Sequence, residues 1–539
     1  MFCDNCGNKV NEIDRFCENC GHALATEESG DNKFQPMTDC DLWFTAFSSP
    51  NWEQNWGSIV DRCNCLRYGI ILTNTNDCPQ NLKEKFYDTL KTYVNFRAEH
   101  KVCYCILDLA HQNIKHAFNS ATLRSVNFVV EILKEISKVA TPQCVMIVGD
   151  RTSIDSIRWY NPLVRCGDPD EYIHSDLPYI TLDTSSSFQR SVFNFDIEIG
   201  RLPSNPKNGF EEAIRYLTNT INLHNSNRSI KTLVSTAIQW TASSALTYKS
   251  ITNKELYPCP DVSFIPGPKI NRVLNNYSSH NLLCFNFHGS PMSNDWVWED
   301  EDADPLSNQY YKSAYSPECL PSNSNIAYAI CTEACYGAKP TDNQSILMTA
   351  LQNRCLAYVG SSESAYGAAN YVEASLSADV LAKQFSYYTY QGFLFGSAFL
   401  KALTEMFTPA NNYNLNWHEI KTITTFALYG DPTLSLLNSN IKTFDHTPKN
   451  YSDYHIPLPS IHQTIELQIE KVSKQISRCV EDYVKKNHMY FSDTKPCFYA
   501  NHNVDGYGVS FSKRTNNLTR VLYVYLDGDG NALKTYMSK

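Results

Sequence analysis

The chain has 539 residues, of which 42% are hydrophobic and 19% charged, and its formal net charge is −10 with a pI near 5.8. A chain of this length exceeds one hydrophobic core, so we expect several compact units in a soluble protein. Without clustered lysine and arginine, the acidic composition argues against a general binder of nucleic acids or anionic membranes. No apolar run reaches the roughly 18 residues of a membrane helix and no secretory signal opens the sequence, which together predict a cytoplasmic protein.

Residues 1–24 carry two cysteine pairs with the spacing of a zinc ribbon. The pattern Cys3-x2-Cys6-x10-Cys17-x2-Cys20 has a glycine directly after each pair, as the tight turns of zinc knuckles require. The four thiolates would close a tetrahedral site, so the predicted Zn²⁺ is structural and supplies folding energy to a segment too short to fold alone. Two redox CxxC pairs are the alternative, but no thioredoxin-like βαβ pattern surrounds them.

Residues 25–39 are polar and without pattern, which predicts a linker. From residue 40 onward, apolar strand runs alternate with amphipathic helices, the pattern of an α/β sandwich with a mostly parallel sheet. Cysteines within these runs, Cys103 and Cys105 among them, are expected to be buried free thiols. The clearest predicted strands are 103–109, 144–148, 232–237, 282–287, 326–331 and 356–359, and the clearest helices are 83–101, 123–139, 269–279, 343–354 and the long stretch 378–407.

Two of the predicted strands lead into residues that suggest a nucleophile and its base. The strand at 282–287 is followed by His288-Gly289, and the strand at 326–331 by Cys335 with Gly337 two positions later. Because sites in open α/β sheets collect at the carboxyl ends of strands, we expect the thiol and the imidazole to meet, with Cys335 accessible. The N–H groups of Gly289 and Cys335 would form the oxyanion hole. The alternative is a cysteine that serves only as a small buried side chain, since the chain has 20 cysteines.

The order of motifs around this pair resembles the caspase-type (clan CD) cysteine peptidases, and the gingipain branch in particular. The resemblance spans about residues 40–437 and implies a caspase-like fold with a first subdomain at 40–195 and a catalytic subdomain at 196–440. It implies that Cys335 attacks the scissile carbonyl and that His288 is the general acid and base. The motifs that carry it are Val145 to Asp150, Ser175 to Tyr179, Asp196 to Pro203, His288-Gly289, Glu333 to Gly337, Ala357 to Ser362 and Leu428 to Leu434.

The chain departs from the gingipain pattern at the third catalytic group. Gingipains place a glutamate beside the histidine just after the strand equivalent to 232–237, whereas this chain has Ile238-Gln239 there. Gln239 is the candidate to orient the imidazole, although an amide stabilises an imidazolium less well than a carboxylate. This departure also keeps open a catalytically weak or inactive scaffold that mediates protein–protein interactions.

The resemblance places the substrate pocket between three segments of the catalytic subdomain. In arginine-specific gingipains a carboxylate from the segment after the strand at 232–237 meets the P1 side chain, but here residues 239–248 contain no acid. That segment therefore does not support a basic P1 residue, and Glu363 is the candidate to supply a charge from the opposite wall. The remaining candidate pocket residues are Trp298, Ser361, Ser362 and Tyr366.

Residues 441–460 are predicted to be a second linker, followed by a C-terminal module at 461–539. Apolar spacing predicts a helix at 461–486, and the runs at 506–511, 519–526 and 533–536 predict strands. The whole chain is thus expected to be a cytosolic cysteine endopeptidase that acts on protein substrates. Its two end modules are expected to gate it or to recruit a protein partner.

Overall fold

The structure of this protein is a computed structural model in which the following residues are described. They are 46–62, 65–111, 114, 125–182, 195, 197–203, 209–223, 229–253, 261–266, 279–300, 302–304, 307, 310–320, 326–340, 344–406, 416–437, 441–443, 474–500, 506–515, 518–527 and 529–539. The predicted zinc ribbon at 1–24 and the linker at 25–39 lie outside the described residues. So do most of the linker at 441–460 and nearly all of the helix predicted at 269–279.

The strands predicted from the sequence are all present, with ends within two residues of the expected positions, except that the strand predicted at 506–511 extends to Thr515. Their long runs of buried apolar side chains explain this agreement, because a parallel strand covered on both faces has a nearly continuous hydrophobic sequence. The described strands are β1 (Arg67–Thr73), β2 (Val102–Asp108), β3 (Cys144–Val148), β4 (Ile157–Tyr160), β5 (Tyr172–Ser175), β6 (Glu198–Leu202), β7 (Thr232–Thr236), β8 (Val262–Pro266), β9 (Leu282–Asn286), β10 (Trp296–Glu299), β11 (Tyr311–Tyr315), β12 (Tyr328–Thr332), β13 (Cys355–Ser361), β14 (Tyr366–Ala368), β15 (Phe426–Gly430), β16 (Cys497–Ala500), β17 (Gly506–Thr515), β18 (Leu518–Asp527) and β19 (Ala532–Ser538).

A 10-stranded sheet with the order β2-β1-β3-β6-β15-β13-β12-β9-β7-β8 forms the centre of the molecule. The strands of each half are parallel to one another, and the two halves meet in the antiparallel pair of β13 and β15. The mixed α/β class with a mostly parallel sheet, predicted from the sequence, is therefore confirmed. In the second half, β9 and β12 are neighbours.

Helices pack against this sheet and against one another. They are α1 (Trp52–Arg62), α2 (Gln80–Glu99), α3 (Val126–Val139), α4 (Leu177–Thr181), α5 (Gly209–Leu223), α6 (Thr241–Thr252), α7 (Ile346–Gln352), α8 (Ala378–Tyr390), α9 (Phe395–Glu405), α10 (Trp417–Thr425) and α11 (Lys474–Asn487). The long helix predicted at 378–407 is wrong, because the chain breaks into α8 and α9. Gly392 ends α8 with a φ of 84°, a left-handed conformation that glycine adopts without strain.

The C-terminal residues form a second, 5-stranded antiparallel sheet with the order β14-β19-β18-β17-β16. Helix α11 packs on this sheet through Val480 and Val484, which join Val509 and Val524 in one buried cluster. Because β14 follows β13 of the central sheet in the chain, this second sheet joins the C-terminal residues to the part of the chain that forms the central sheet. Residues 41–539 accordingly form one compact unit.

The expectation of a free thiol is wrong at Cys103, which forms a disulfide with Cys65. Cys65 stands just before β1, and Cys103 lies in β2 opposite Tyr68, so the pairing of these parallel strands brings the two cysteines together. Cys105 is a buried free thiol as predicted. Among the described residues, no helix is long and apolar enough to cross a membrane.

A buried ion cluster ties α10 to the loop before β5. The ammonium of Lys421 lies 2.7 Å from a carboxylate oxygen of Asp168 and 2.7 Å from one of Asp170, and all three side chains are buried. Replacing Lys421 by methionine should lower the free energy of unfolding by about 3–5 kcal/mol, because it leaves two buried carboxylates without a cation. Urea denaturation measures this loss. Lys513→Met, which removes a lysine whose partner Asp493 is exposed, should cost less than about 1 kcal/mol, and equal losses would contradict the account.

Candidate active site

The residues that follow β9 and β12 come together at the carboxyl ends of these two neighbouring strands. Phe285 of β9 lies opposite Thr332 of β12, so His288 and Cys335 each stand three residues beyond an aligned pair. Gly289 brings its backbone so close to Cys335 that a Cβ at position 289 would lie 1.8 Å from the carbonyl oxygen of Cys335. Glycine is therefore required at this position by close approach of two backbones.

The turn that presents Cys335 is made by Tyr336 rather than by the glycine expected from the sequence. Tyr336 has a φ of 55°, a left-handed conformation that costs a non-glycine residue on the order of 1–3 kcal/mol. The surrounding hydrogen bonds hold it in place. Its N–H donates to the carbonyl of Glu363 at 2.9 Å, and its hydroxyl donates to Asp170 at 2.6 Å. The ion cluster around Lys421 thus also fixes the backbone next to Cys335.

His288 is buried and has a carboxylate partner that the sequence reasoning missed. Its Nε2 lies 3.2 Å from Oε1 of Glu299, while Nδ1 has no hydrogen-bond partner. The ring packs against Trp240 at a centroid distance of 4.4 Å and against Tyr311 at 5.6 Å. The imidazole is therefore oriented through Nε2 and leaves Nδ1 for another group.

Glu299 connects the histidine to the C-terminal sheet. Arg520 of β18 forms an ion pair with Oε1 of Glu299, and both side chains are 1% exposed. Burial raises the pKa of Glu299, but the Arg520 guanidinium and the hydrogen bond to His288 together hold that pKa below its ordinary value. The carboxylate therefore remains charged beside the imidazole. Glu299 follows His288 by 11 positions and is the last residue of β10. The antiparallel pairing of β10 with β11 places it beside the imidazole.

Gln239 makes no hydrogen bond to the imidazole among the described residues. Its Nε2 donates to the backbone carbonyl of Glu299 at 3.0 Å, and its own backbone carbonyl accepts from Tyr371 at 2.7 Å. The amide thus supports the backbone that carries Glu299, whereas the sequence predicted that it would orient the ring itself.

Cys335 is buried, whereas the sequence predicted an accessible thiol. Its Sγ lies 3.4 Å from the carbonyl oxygen and 3.3 Å from the amide nitrogen of Ala365. Burial raises the pKa of the Cys335 thiol to about 12. Residue 539 of the same chain lies against Cys335, since the N–H of Cys335 donates to the carbonyl oxygen of Lys539 at 3.3 Å.

The side chains predicted to line the pocket make their described contacts elsewhere. Trp298 lies near Lys312, whose ammonium is 5.9 Å from the ring centroid. Ser361 is hydrogen-bonded to Thr425 and to the carbonyl oxygen of Glu363, and Ser362 accepts a hydrogen bond from Arg151. The carboxylate of Glu363 lies 3.2 Å from Nδ1 of His174, and the hydroxyl of Tyr366 donates to Asp168. The segment at 361–366 nevertheless borders the site through its backbone, since Ala365 contacts Cys335.

A small, partly open cleft lies on one side of Cys335. Gly289, Trp296, Tyr336 and Ser345 line it together with Cys335.

Comparison with known families places this site in a known class of protein. Residues 67–437 match peptidase family C25, and residues 2–24 match a zinc-ribbon domain. The first match spans more than half of the chain and includes both His288 and Cys335. The chain therefore belongs to peptidase family C25, the gingipain family of clan CD.

Three solved structures that resemble parts of this chain at low sequence identity are the following. The Arg-specific cysteine proteinase gingipain R is 13% identical, with a TM-score of 0.47 over 68% of this chain and 78% of its own. A structure described only as a protease is 13% identical, with a TM-score of 0.46 over 89% of this chain and 100% of its own. The Saccharomyces cerevisiae separase–securin complex is 11% identical, with a TM-score of 0.30 over 65% of this chain and 23% of that chain. Among curated protein sequences, none matches the chain.

Burial of the neutral imidazole predicts a loss of stability in acid. Burial lowers the pKa of His288 to about 4, an effect that Arg520 and Lys539 reinforce and that Glu299 opposes. Between about pH 6.5 and 4 the unfolded chain binds a proton at this residue and the folded protein does not, so acidification favours unfolding. His288 should therefore account for about 3 kcal/mol of the stability lost across that window. Urea denaturation at several pH values measures this, and His288→Gln should show a shallower dependence; an unchanged slope would contradict it.

Proposed function

We propose that this protein is a cysteine endopeptidase that cleaves protein substrates with Cys335 as nucleophile and His288 as general acid and base. Membership of peptidase family C25 supports the reaction class. The assignment rests on one observation: the N–H of Cys335 donates a hydrogen bond to the backbone carbonyl oxygen of Lys539. A donor in this position is what an oxyanion beside a nucleophile requires.

In the proposed reaction, each step is assigned to a group of this site. The proton of the Cys335 thiol passes to Nδ1 of His288, and the sulfur attacks the scissile carbonyl carbon. The oxyanion accepts hydrogen bonds from the N–H groups of Cys335 and Gly289. Glu299 stabilises the imidazolium, which gives its proton to the leaving amine as the C–N bond breaks. Water then hydrolyses the thioester and restores the thiol.

The alternative of an inactive scaffold rested on the absence of a carboxylate beside the histidine. Glu299 provides such a carboxylate at 3.2 Å from Nε2, from a different part of the sequence than the gingipain pattern suggested. The active peptidase is therefore the better-supported function, and the scaffold becomes an outcome of the test.

We further propose that Cys3, Cys6, Cys17 and Cys20 bind one structural Zn²⁺. The zinc-ribbon match at 2–24 and the donor set of four thiolates support it. Metal analysis of the purified full chain should give one zinc per protein, and a Cys3→Ser/Cys17→Ser variant should lose it. Zinc-free wild-type protein would contradict this proposal.

The decisive test of the peptidase is hydrolysis of a peptide library with each residue at P1. The full chain and its Lys539→Met variant should cleave it, whereas the same proteins with Cys335→Ala should not. Cys479→Ala, which removes an exposed thiol on α11, is the control and should retain full activity. Equal activity with and without Cys335, or no activity in any form together with intact folding, would refute the proposal.

A further inference from the structure

The last residues of β19 lie beside Cys335 in the manner of a bound peptide. Ser538, Met537 and Tyr536 pair antiparallel with Tyr366, Gly367 and Ala368 of β14. Beyond this pairing, the N–H of Lys539 donates to the carbonyl of Ala365 at 3.0 Å. Peptides that bind by adding a strand to a sheet edge make this kind of main-chain contact.

The position of Lys539 relative to the thiol defines which residue it represents. Its carbonyl oxygen accepts from the N–H of Cys335 at 3.3 Å, which is where the carbonyl of the residue before the scissile bond must lie. Lys539 therefore stands in the P1 position, and residues 536–538 precede it in the cleft. The open cleft lined by Gly289 and Cys335 contains none of the residues around the lysine side chain.

The side chain of Lys539 fills a closed acidic pocket. Its Nζ lies 2.9 Å from Oδ1 of Asp379, 3.5 Å from Oε2 of Glu333 and 4.3 Å from the centroid of Trp240. The lysine side chain is 0% exposed. Gly367 forms the wall, since a Cβ there would lie 2.2 Å from Cε of the lysine.

The pocket is built to carry negative charge. Asp379 is held by the N–H groups of Ala368 at 2.6 Å and Leu376 at 3.1 Å, both of which donate to Oδ2. That leaves Oδ1 directed at the ammonium. Burial, followed by the neighbouring Asp379, raises the pKa of Glu333 well above its ordinary value. Asp379 is therefore the carboxylate that meets the ammonium of Lys539 most closely, at 2.9 Å against 3.5 Å for Glu333.

We infer that Asp379, Glu333, Trp240 and Gly367 form the P1 subsite of this peptidase and select lysine, and that residues 536–539 occupy it as an intramolecular competitor. The inference rests on the proposed function for the meaning of P1, but binding in the pocket can be tested without catalysis. It differs from the expectation from the sequence, which found no acid at 239–248 and offered Glu363 as the charged group. Arginine is disfavoured because its longer, planar guanidinium carries five donors in a fixed fork, which need more acceptors than this compact pocket directs at the ammonium.

A binding experiment with the inactive full chain tests the inference. A fluorescein-labelled peptide with the sequence of residues 532–539 is titrated into Cys335→Ala and into Cys335→Ala/Lys539→Met, with fluorescence anisotropy as the readout. The Lys539→Met change removes the ammonium that binds residues 536–539 in the pocket. The double variant should therefore bind the added peptide about 10- to 100-fold more tightly. Lys534→Met, on the exposed part of the same strand, is the matched control and should not change the affinity.

Changes in the peptide and in the pocket then test the choice of lysine. In the double variant, norleucine in place of the final lysine should weaken binding by about 10- to 100-fold, since it removes only the charged group. Adding Asp379→Asn should weaken binding of the lysine peptide similarly, whereas Glu363→Gln should not. Equal affinities for lysine and norleucine, or no gain from Lys539→Met while thermal unfolding shows a folded protein, would overturn the inference.

An activity arm separates failure of this inference from failure of the proposed function. With Cys335 present, Lys539→Met should cleave P1-lysine peptides faster than the wild type. Lysine-selective binding without any cleavage would overturn the peptidase and leave the pocket intact. Cleavage with no preference for lysine would overturn the pocket and leave the peptidase intact.

Discussion

Replacing Glu299 by glutamine is expected to lower kcat/KM for peptide hydrolysis by about 10²- to 10⁴-fold. Oε1 of Glu299 lies 3.2 Å from Nε2 of His288, and the change to an amide removes the charge that stabilises the imidazolium. The side chain keeps its shape, so the protein should remain folded. Initial rates in the Lys539→Met background, measured from pH 5 to pH 9, give kcat/KM and its pH dependence.

Gln239→Ala is the informative comparison for this variant. The amide of Gln239 donates its hydrogen bond to the backbone carbonyl of Glu299 and not to the carboxylate or the imidazole. Removing this amide should therefore reduce kcat/KM much less than removing the charge of Glu299. A full loss of activity in Gln239→Ala together with full activity in Glu299→Gln would restore the role that the sequence first suggested. It would also remove Glu299 from the proposed machinery.

Replacing Arg520 by methionine is expected to lower the free energy of unfolding by about 3–5 kcal/mol and to reduce activity. The change leaves the buried carboxylate of Glu299 without its cation, and it removes a guanidinium that lies 4.9 Å from the ring centroid of Tyr490. Urea denaturation at neutral pH measures the loss. Arg514→Met, at an exposed position of β17, should change stability by less than about 0.5 kcal/mol.

The double variant Glu299→Gln/Arg520→Met separates the two contributions. Without the carboxylate, no uncompensated charge remains, so part of the lost stability should return while activity stays low. Losses that simply add would contradict a direct coupling between the two residues.

Because Arg520 belongs to the C-terminal sheet, truncating residues 450–539 is expected to abolish activity rather than to release it.

Most of the fold could be predicted because its information is local. The central strands are continuous apolar runs, and such runs remain strands wherever the sheet places them. His288 and Cys335 were predicted for the same reason, since each lies within three residues of the end of a strand. The break at Gly392 was the exception, because a helical pattern continues on both sides of it and only the positive φ reveals the end of α8.

The rest of the site depends on contacts between distant parts of the chain, which local patterns do not contain. Glu299 meets His288 through a strand pairing, and Arg520 reaches it from the C-terminal sheet. Asp379 falls at the start of the helical stretch predicted at 378–407, and nothing in that pattern indicates that its Oδ1 lies 2.9 Å from Nζ of Lys539. An acid after the alternating run Trp296 to Trp298 was the one available signal for Glu299, and nothing local indicated that Lys539 would lie beside Cys335.

The most direct test of the central claim is to map the residue that reacts with a peptide-based electrophile. The Lys539→Met protein is treated with a lysyl acyloxymethyl ketone, digested and analysed by mass spectrometry, with residual hydrolysis measured in parallel. We expect a single adduct on Cys335, loss of hydrolysis in proportion to its formation, and much slower labelling in His288→Ala. An adduct on another cysteine, or hydrolysis that persists after Cys335 is fully modified, would contradict the assignment of Cys335 as the nucleophile.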